Sequence, residues 1–228
     1  ADASIDDRFK DRGSVMMQGV KAVICAPLVA RETVNGVLYL STSTIGSAFT
    51  PQDLELVTAI GIQTGIALND TKIVTRQRRM FTSIIAALVT AVERRDPSLR
   101  GHSARVARFA LAMGKALKLP QEAMDALHVA ALLHDAGLLL MAETAVPDAG
   151  REDLERRRAE ASVEILRKIE GLQAVLPAVK HSFEKFDGSG VPDGLRGADI
   201  PLNARLIAAA RAFDEILAAG AAERTTLK

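Results

Sequence analysis

The pattern of apolar and polar positions divides the chain near residue 50. Before it, two apolar runs stand close together: KAVICAPLVA at residues 21–30, with Pro27 inside it, and VNGVLYLSTS at 34–43. The segment Arg31–Gly36 between them carries the pair Asn35-Gly36, which suits a tight turn, so the two runs are expected to form a β-hairpin. FTPQDLELV then marks a helix start. Thr50 fits the N-cap, Pro51 the first helical position and Asp53 the third, where a carboxylate can close a capping box. From Pro51 to Pro97 the chain has almost no breaker apart from Gly61 and Gly65. Phe81, Ile85, Leu88 and Val92 recur at alternating four- and three-residue steps, as one apolar seam does. Two readings fit. The first is a pair of helices packed on separate domains, with NDTK at 69–72 as an interruption. The second is one long connecting helix that pairs in a homodimer, and the strongly polar TRQRR between apolar segments favours it.

From about residue 83 the pattern is helical throughout. Segments rich in Ala and Leu alternate with short polar joints: HSARVARFALAMGKAL, PQEAMDALHVAALLHDAG, REDLERRRAEASVEILRKI and ARLIAAARAFDEILAAG. Pro120 fits the first turn of a helix and Gly137 a helix end. One long loop interrupts, FDGSGVPDGLRGADIP at 186–201. A loop of this length in a compact helical domain is more often functional than accidental. The expected fold is an α+β N-terminal portion followed by an all-α helical bundle, joined by a long helix.

Composition adds exclusions. The chain of 228 residues has a formal net charge of +1, so no electrostatic argument favours nucleic acid or a membrane surface. It has no Trp and a single Tyr, Tyr39, which speaks against a row of base-stacking aromatics. Cys25 is the lone cysteine, so no internal disulfide forms, in keeping with a reducing, cytoplasmic setting. No apolar run is long enough to span a bilayer, and ADASIDDRFK is no signal peptide. An opening without Met is expected of a fragment or a processed chain.

The candidate chemistry lies in LLHDAGLLLM, residues 132–141. Imidazole nitrogen and carboxylate oxygen together suit divalent iron, manganese or zinc. His134 and Asp135 are adjacent, so both can ligate one ion only near a helix end, and further ligands must come from other helices. His102, at the start of an earlier helix, is the candidate partner. The bland alternative is a chance dipeptide whose imidazole is simply hydrogen-bonded.

GHSARVARFA, LLHDAG and FDGSGVPDGLRGADIPLNARLIA, in that order and at these distances, resemble the HD-GYP family of bacterial HD phosphohydrolases. The resemblance covers residues 83 to about 220. It implies a helical domain with two or three metal ions that hydrolyses cyclic di-GMP. The earlier stretch, DDRFKDRGSV, AVICAPLV, VNGVLYLST and FTPQDLELVTAIGIQTGIAL in turn, resembles the C-terminal portion of a GAF domain, a common sensor. The expected division is a partial GAF domain at 1–70, a helical linker at 71–82 and a degenerate HD-GYP domain at 83–228.

The resemblance also exposes departures. Leu138 stands where the family has a phosphate-assisting Lys. Arg158 stands at a His position, Ser182 and Phe183 at two more, with His181 one residue too early. Val191 replaces the name-giving Tyr, and Arg211 a late metal-binding Asp. The survivors are His102, His134 and Asp135. A guanidinium is effectively always protonated and repels a divalent cation at close range.

Arg211 is therefore expected to turn inward and pair with Asp135. Arg158 either does the same or belongs to a solvated face, since three Arg stand in a row. Asp187, Gly188, Gly190 and Val191, with Arg158 and Arg211, are the candidate ligand-binding residues, although the glycines and Asp187 also suit a purely structural turn.

The function expected is a non-hydrolytic signalling or scaffold protein, acting through a protein partner and forming a homodimer along its long helix. Two rivals are a residual metal-dependent cyclic di-GMP phosphodiesterase and a cyclic di-GMP receptor that does not cut. No cofactor is expected, the alternative being Fe or Mn at the remnant His102–His134–Asp135 site.

Overall fold

In the computed structural model the described residues are 20–44, 49–141 and 150–226, with side chains described through 219. The chain divides into two compact units, Ala1–Met80 and Phe81–Lys228. The earlier unit holds an antiparallel hairpin, β1 (Ala22–Ala30) and β2 (Thr33–Thr42), and the first part of helix α1 (Pro51–Arg95). The hairpin is as expected, but its turn is not. The chain reverses at Arg31-Glu32, with Arg31 at φ 54°, and Asn35-Gly36 lie inside β2. Asn35 instead accepts a hydrogen bond from Lys72 Nζ through Oδ1 at 2.9 Å. The turn signal was overridden by cross-strand pairing, in which Val29 and Val34 already face each other.

Helix α1 starts as its sequence demands. Thr50 N donates to Asp53 Oδ2 at 2.8 Å and Asp53 N donates to Thr50 Oγ1 at 3.2 Å, a reciprocal capping box. The helix runs through NDTK without a break. Gly65 allows it to lie directly on β1: a Cβ there would stand 2.6 Å from Val29 N and 2.7 Å from Leu28 C. Ile24, Ala26 and Val57 form the small core beneath.

The later unit is a helical bundle: the end of α1, α2 (His102–Ala116), α3 (Gln121–Leu133), α4 (Arg151–Leu166), the short α5 (Leu176–Lys180) and α6 (Leu202–Thr226). Pro120 sits at the N-cap of α3. Val106, Ala110, Leu127, Ala130, Ala131, Leu166, Val179 and Ile207 have no more than trace exposure and make the centre of the core. Small Ala side chains on α2, α3 and α6 let the helices approach closely, and Leu and Ile fill the layers between.

One expectation fails here. Ile85 is 7% exposed within this core, Phe81 and Leu88 pack against it, and Val92 is 3% exposed. The seam assigned to a dimer faces the chain's own bundle. An apolar stripe states that a helix is covered, not by whom. No helix among the described residues is long and apolar enough to cross a membrane.

Candidate metal centre

Three elements bring the chemistry together. His102 opens α2, where Gly101 at φ 71° turns the chain into the helix. His134 caps the end of α3 and Asp135 follows, before a tight turn at Ala136–Leu139. Gly137 in that turn permits the backbone of α4 to approach: a Cβ there would overlap Arg158 O and lie 2.6 Å from Ser162 N. Ser162 locks the contact, accepting from Gly137 N at 2.8 Å and donating to His134 O at 3.0 Å.

His102, His134 and Asp135 are all buried, and their ligand atoms lie within 4.8 Å of one another. The hydrogen bonds fix which nitrogens face inward. His102 Nδ1 donates to Asp214 Oδ2 at 2.7 Å, and His134 Nδ1 donates to Ala131 O at 2.9 Å. With each Nδ1 proton committed to an acceptor, both Nε2 lone pairs in the neutral rings point at Asp135 Oδ2, at 3.6 and 3.2 Å. Among the described residues His134 Nε2 and Asp135 Oδ2 have no hydrogen-bond partner. Three acceptors meeting in a buried space call for a cation. Metal-binding imidazoles characteristically give their other N–H to a carboxylate or carbonyl, as both do here. The donor set fits one divalent ion of the iron, manganese or zinc type.

Charges around the cluster follow. Burial pushes Asp135 upward, but positive charge on His134 and His102 when those rings carry it, and on Arg158 always, outweighs it and holds the carboxyl well below the usual range. Burial, then His134, lowers His102, against the pull of Asp214 and Asp135. Asp214 is also lowered: burial opposes ionisation, and the hydrogen bonds from Arg105 and His102 overcome it. Arg105 Nε meets Asp214 Oδ1 at 2.6 Å and Nη2 meets Oδ2 at 3.0 Å.

Of the two candidate arginines, the pairing with Asp135 falls to the one whose place the sequence leaves open. Arg158, not Arg211, pairs with Asp135: its Nη1 is 3.3 Å from Oδ1. Its solvated alternative is excluded, since the side chain is only 27% exposed. Arg211 does point inward, but its guanidinium lies 4.0 Å over the Phe183 ring, with Glu155 and Glu215 each at 3.7 Å. The reason is packing. Gly137 draws α4 onto the His134–Asp135 turn, so a side chain of α4 reaches the carboxylate. Arg211, on α6, meets Phe183 first. Arg158 also stands over Phe183, at 5.7 Å.

The other candidates lie elsewhere. Val191 packs with Phe183 and Ala159. Asp187 accepts from Ser189 N at 2.9 Å within its own loop. Gly188 has φ 84°, and Gly190 passes so close to Glu184 and Lys185 that a Cβ there would overlap Lys185 N. Leu138 is half-buried and Ser182 Oγ donates to Val179 O at 2.9 Å. His181 turns to Glu184, at 3.5 Å.

Sequence reasoning missed Asp214, Arg105 and Glu184. Glu184 is 4% exposed and ties down the long loop, accepting from Asp193 N at 2.9 Å and Leu195 N at 3.1 Å. Arg105 three residues after His102 was the available signal for the first pair, because that spacing shares a helix face.

A helical bundle built around an inward His-Asp pair and a preceding helix-start His defines a class, and the chain belongs to the HD domain family, which matches residues 87–228. The GAF domain family matches residues 1–68. Among its relatives is the cyclic di-GMP phosphodiesterase response regulator RpfG of Xanthomonas campestris pv. campestris. It is 33% identical over 143 residues, 59% of this chain and 38% of that protein. The 3'3'-cGAMP-specific phosphodiesterase 2 of Vibrio cholerae is 28% identical over 161 residues, 67% of this chain and 30% of that protein. The cyclic di-GMP phosphodiesterase PA4108 of Pseudomonas aeruginosa is 29% identical over 121 residues, 50% of this chain and 29% of that protein. The chain spans less than two fifths of the length of these relatives.

Proposed function

We propose that this chain belongs to a signalling protein whose HD domain, related to cyclic dinucleotide phosphodiesterases, relays or docks rather than hydrolyses. The observation that carries the reading is the occupation of the space beside Asp135. Arg158 and Arg211, both cations, stand over Phe183, and the HD-GYP resemblance expects metal ligands at all three positions. None of the three offers a lone pair to a second ion. One ion, held by His102, His134 and Asp135, would supply Lewis acidity and a more acidic bound water. Where the resemblance expects further metal ligands and a phosphate-orienting Lys, this chain has Arg158, Ser182, Phe183, Arg211 and Leu138. A protein partner is the natural recipient of the signal.

The test is product analysis of cyclic di-GMP and 3'3'-cGAMP after incubation with the chain and added Mn²⁺ or Fe²⁺. No linear dinucleotide is expected. Turnover that vanishes in His134→Ala would overturn the proposal. A second reading, a receptor that binds the nucleotide uncut, draws on the buried Nε atoms of Arg158 and Arg211, which make no hydrogen bond among the described residues. Calorimetric titration with cyclic di-GMP, and its loss in Arg211→Met, distinguishes it.

A further inference from the structure

We infer that Arg158 is a built-in monocation on the outer oxygen of Asp135, which restricts the His102–His134–Asp135 cluster to a single divalent ion and sets how tightly that ion binds. The inference deepens the reading above and rests on it in taking this cluster as the seat of function.

The two oxygens of Asp135 have separate surroundings. Oδ2 faces His102 Nε2 at 3.6 Å and His134 Nε2 at 3.2 Å and, among the described residues, accepts no hydrogen bond. Oδ1 is 3.3 Å from Arg158 Nη1. The carboxylate is 2% exposed, so water screens neither contact well. Oδ2 is therefore open to an ion and Oδ1 is taken. An ion on Oδ1 would have to displace Arg158, and Arg211, whose guanidinium stacks on the same Phe183 ring, is a second nearby cation. Phe183 is 2% exposed, and its face stabilises the cations beside it.

Arg158 and an ion on Oδ2 share one negative charge. Each weakens the hold of the other, by the same factor in both directions. Arg158 thus stabilises the ion-free site at the expense of the ion-bound one. A lysine keeps this charge, whereas glutamine removes it and keeps most of the side-chain volume.

The experiment is Co²⁺ titration of the purified chain, read by visible absorption and by elemental analysis after desalting. Wild type is expected to bind one ion, and His134→Ala none. Arg158→Gln is expected to bind that ion ~10-fold more tightly or better, as removal of a nearby unit charge from a buried site requires. Arg158→Lys should stay close to wild type. Ion-free Arg158→Gln should also melt at a lower temperature than wild type and gain more on adding cobalt.

Two ions on wild type, none at millimolar cobalt, glutamine no tighter than wild type, or lysine as tight as glutamine would each overturn the inference. If Arg158→Gln does not fold, the wild-type count and its loss in His134→Ala decide the matter. The outcomes also separate from those of the function: a one-ion chain that cleaves cyclic di-GMP refutes the proposed function and leaves this inference standing.

Discussion

Replacing Asp214 by Asn tests how the first imidazole is held. Asp214 sits on α6 and is 2% exposed. Its oxygens receive three donors: Arg105 Nε at 2.6 Å, Arg105 Nη2 at 3.0 Å and His102 Nδ1 at 2.7 Å. Asparagine keeps one acceptor oxygen and presents an NH₂ where the other stood. At least one donor then faces another donor. Breaking a buried charged pair from one side costs about 3–5 kcal/mol. Arg105 is 39% exposed, so its guanidinium regains water and the cost falls to about 2–3 kcal/mol.

The assay is urea unfolding followed by helical circular dichroism, with Arg105→Gln and the double variant completing a cycle. A second readout is ion binding: loss of the carboxylate behind His102 is expected to weaken Co²⁺ by roughly 10–100-fold. An Asp214→Asn protein within about 0.5 kcal/mol of wild type, binding cobalt equally well, would refute the claim that Asp214 fixes His102.

Gly137→Ala should cost more than about 2 kcal/mol in the same unfolding assay, because the Cβ meets backbone of α4 at Arg158 and Ser162 rather than a movable side chain. Gly150→Ala, whose Cβ would meet nothing within 4 Å among the described residues, is the control, expected to cost under about 1 kcal/mol. Stability should fall as the pH drops below about 6.5, because burial lowers His102 in the folded chain and the unfolded chain takes up the proton first. The contribution is fully present above the unfolded value and is lost toward acid, and His102→Gln should flatten the slope. A wild-type slope of opposite sign between pH 6.5 and 5, on the order of the ordinary histidine range, would contradict it. Glu184→Gln removes one of two acceptors for the Asp193 and Leu195 amides, so hydrogen exchange at those two positions should quicken, with a loss of about 1–2 kcal/mol. Unchanged exchange there would show that the loop holds itself.

The elements that could be read from the chain are those decided locally. The Thr50–Asp53 box needs only four consecutive residues, and the structure forms both of its bonds. The bundle helices follow from apolar spacing, and the cluster of His102, His134 and Asp135 follows from residue type at the starts and ends of helices. What could not be read depends on neighbours distant in sequence. The seam of Phe81, Ile85, Leu88 and Val92 has the same spacing whether a second copy or its own bundle covers it. Asn35-Gly36 lost its turn to a strand register set across the hairpin. Each step along a helix turns a side chain by roughly 100°, so three arginines in a row at 156–158 point three ways, and only the approach of α4 at Gly137 selects Arg158.

That selection explains how this site keeps its shape while its donor set differs from the one the resemblance implies. Asp135 is fully enclosed, and the Arg158 guanidinium 3.3 Å from Oδ1 is its fixed counter-charge. An enclosed carboxylate needs a cation, but the source of that cation is not dictated by the fold. Arg158 supplies one unit that cannot leave, on Oδ1 alone. The pairing leaves Oδ2 and two imidazole nitrogens facing a space that a single ion can fill. Arg211 adds a second fixed charge over Phe183, itself held up by nothing closer than Glu155 and Glu215. Burial pushes Arg211 down and those carboxylates push it back, so its place is set by packing on an aromatic face more than by an ion pair. The helices that carry these two residues, α4 and α6, also carry Ser162 and Asp214, which hold the His134 turn and His102 in place. Positioning and charge thus reside on the same two helices but in different residues.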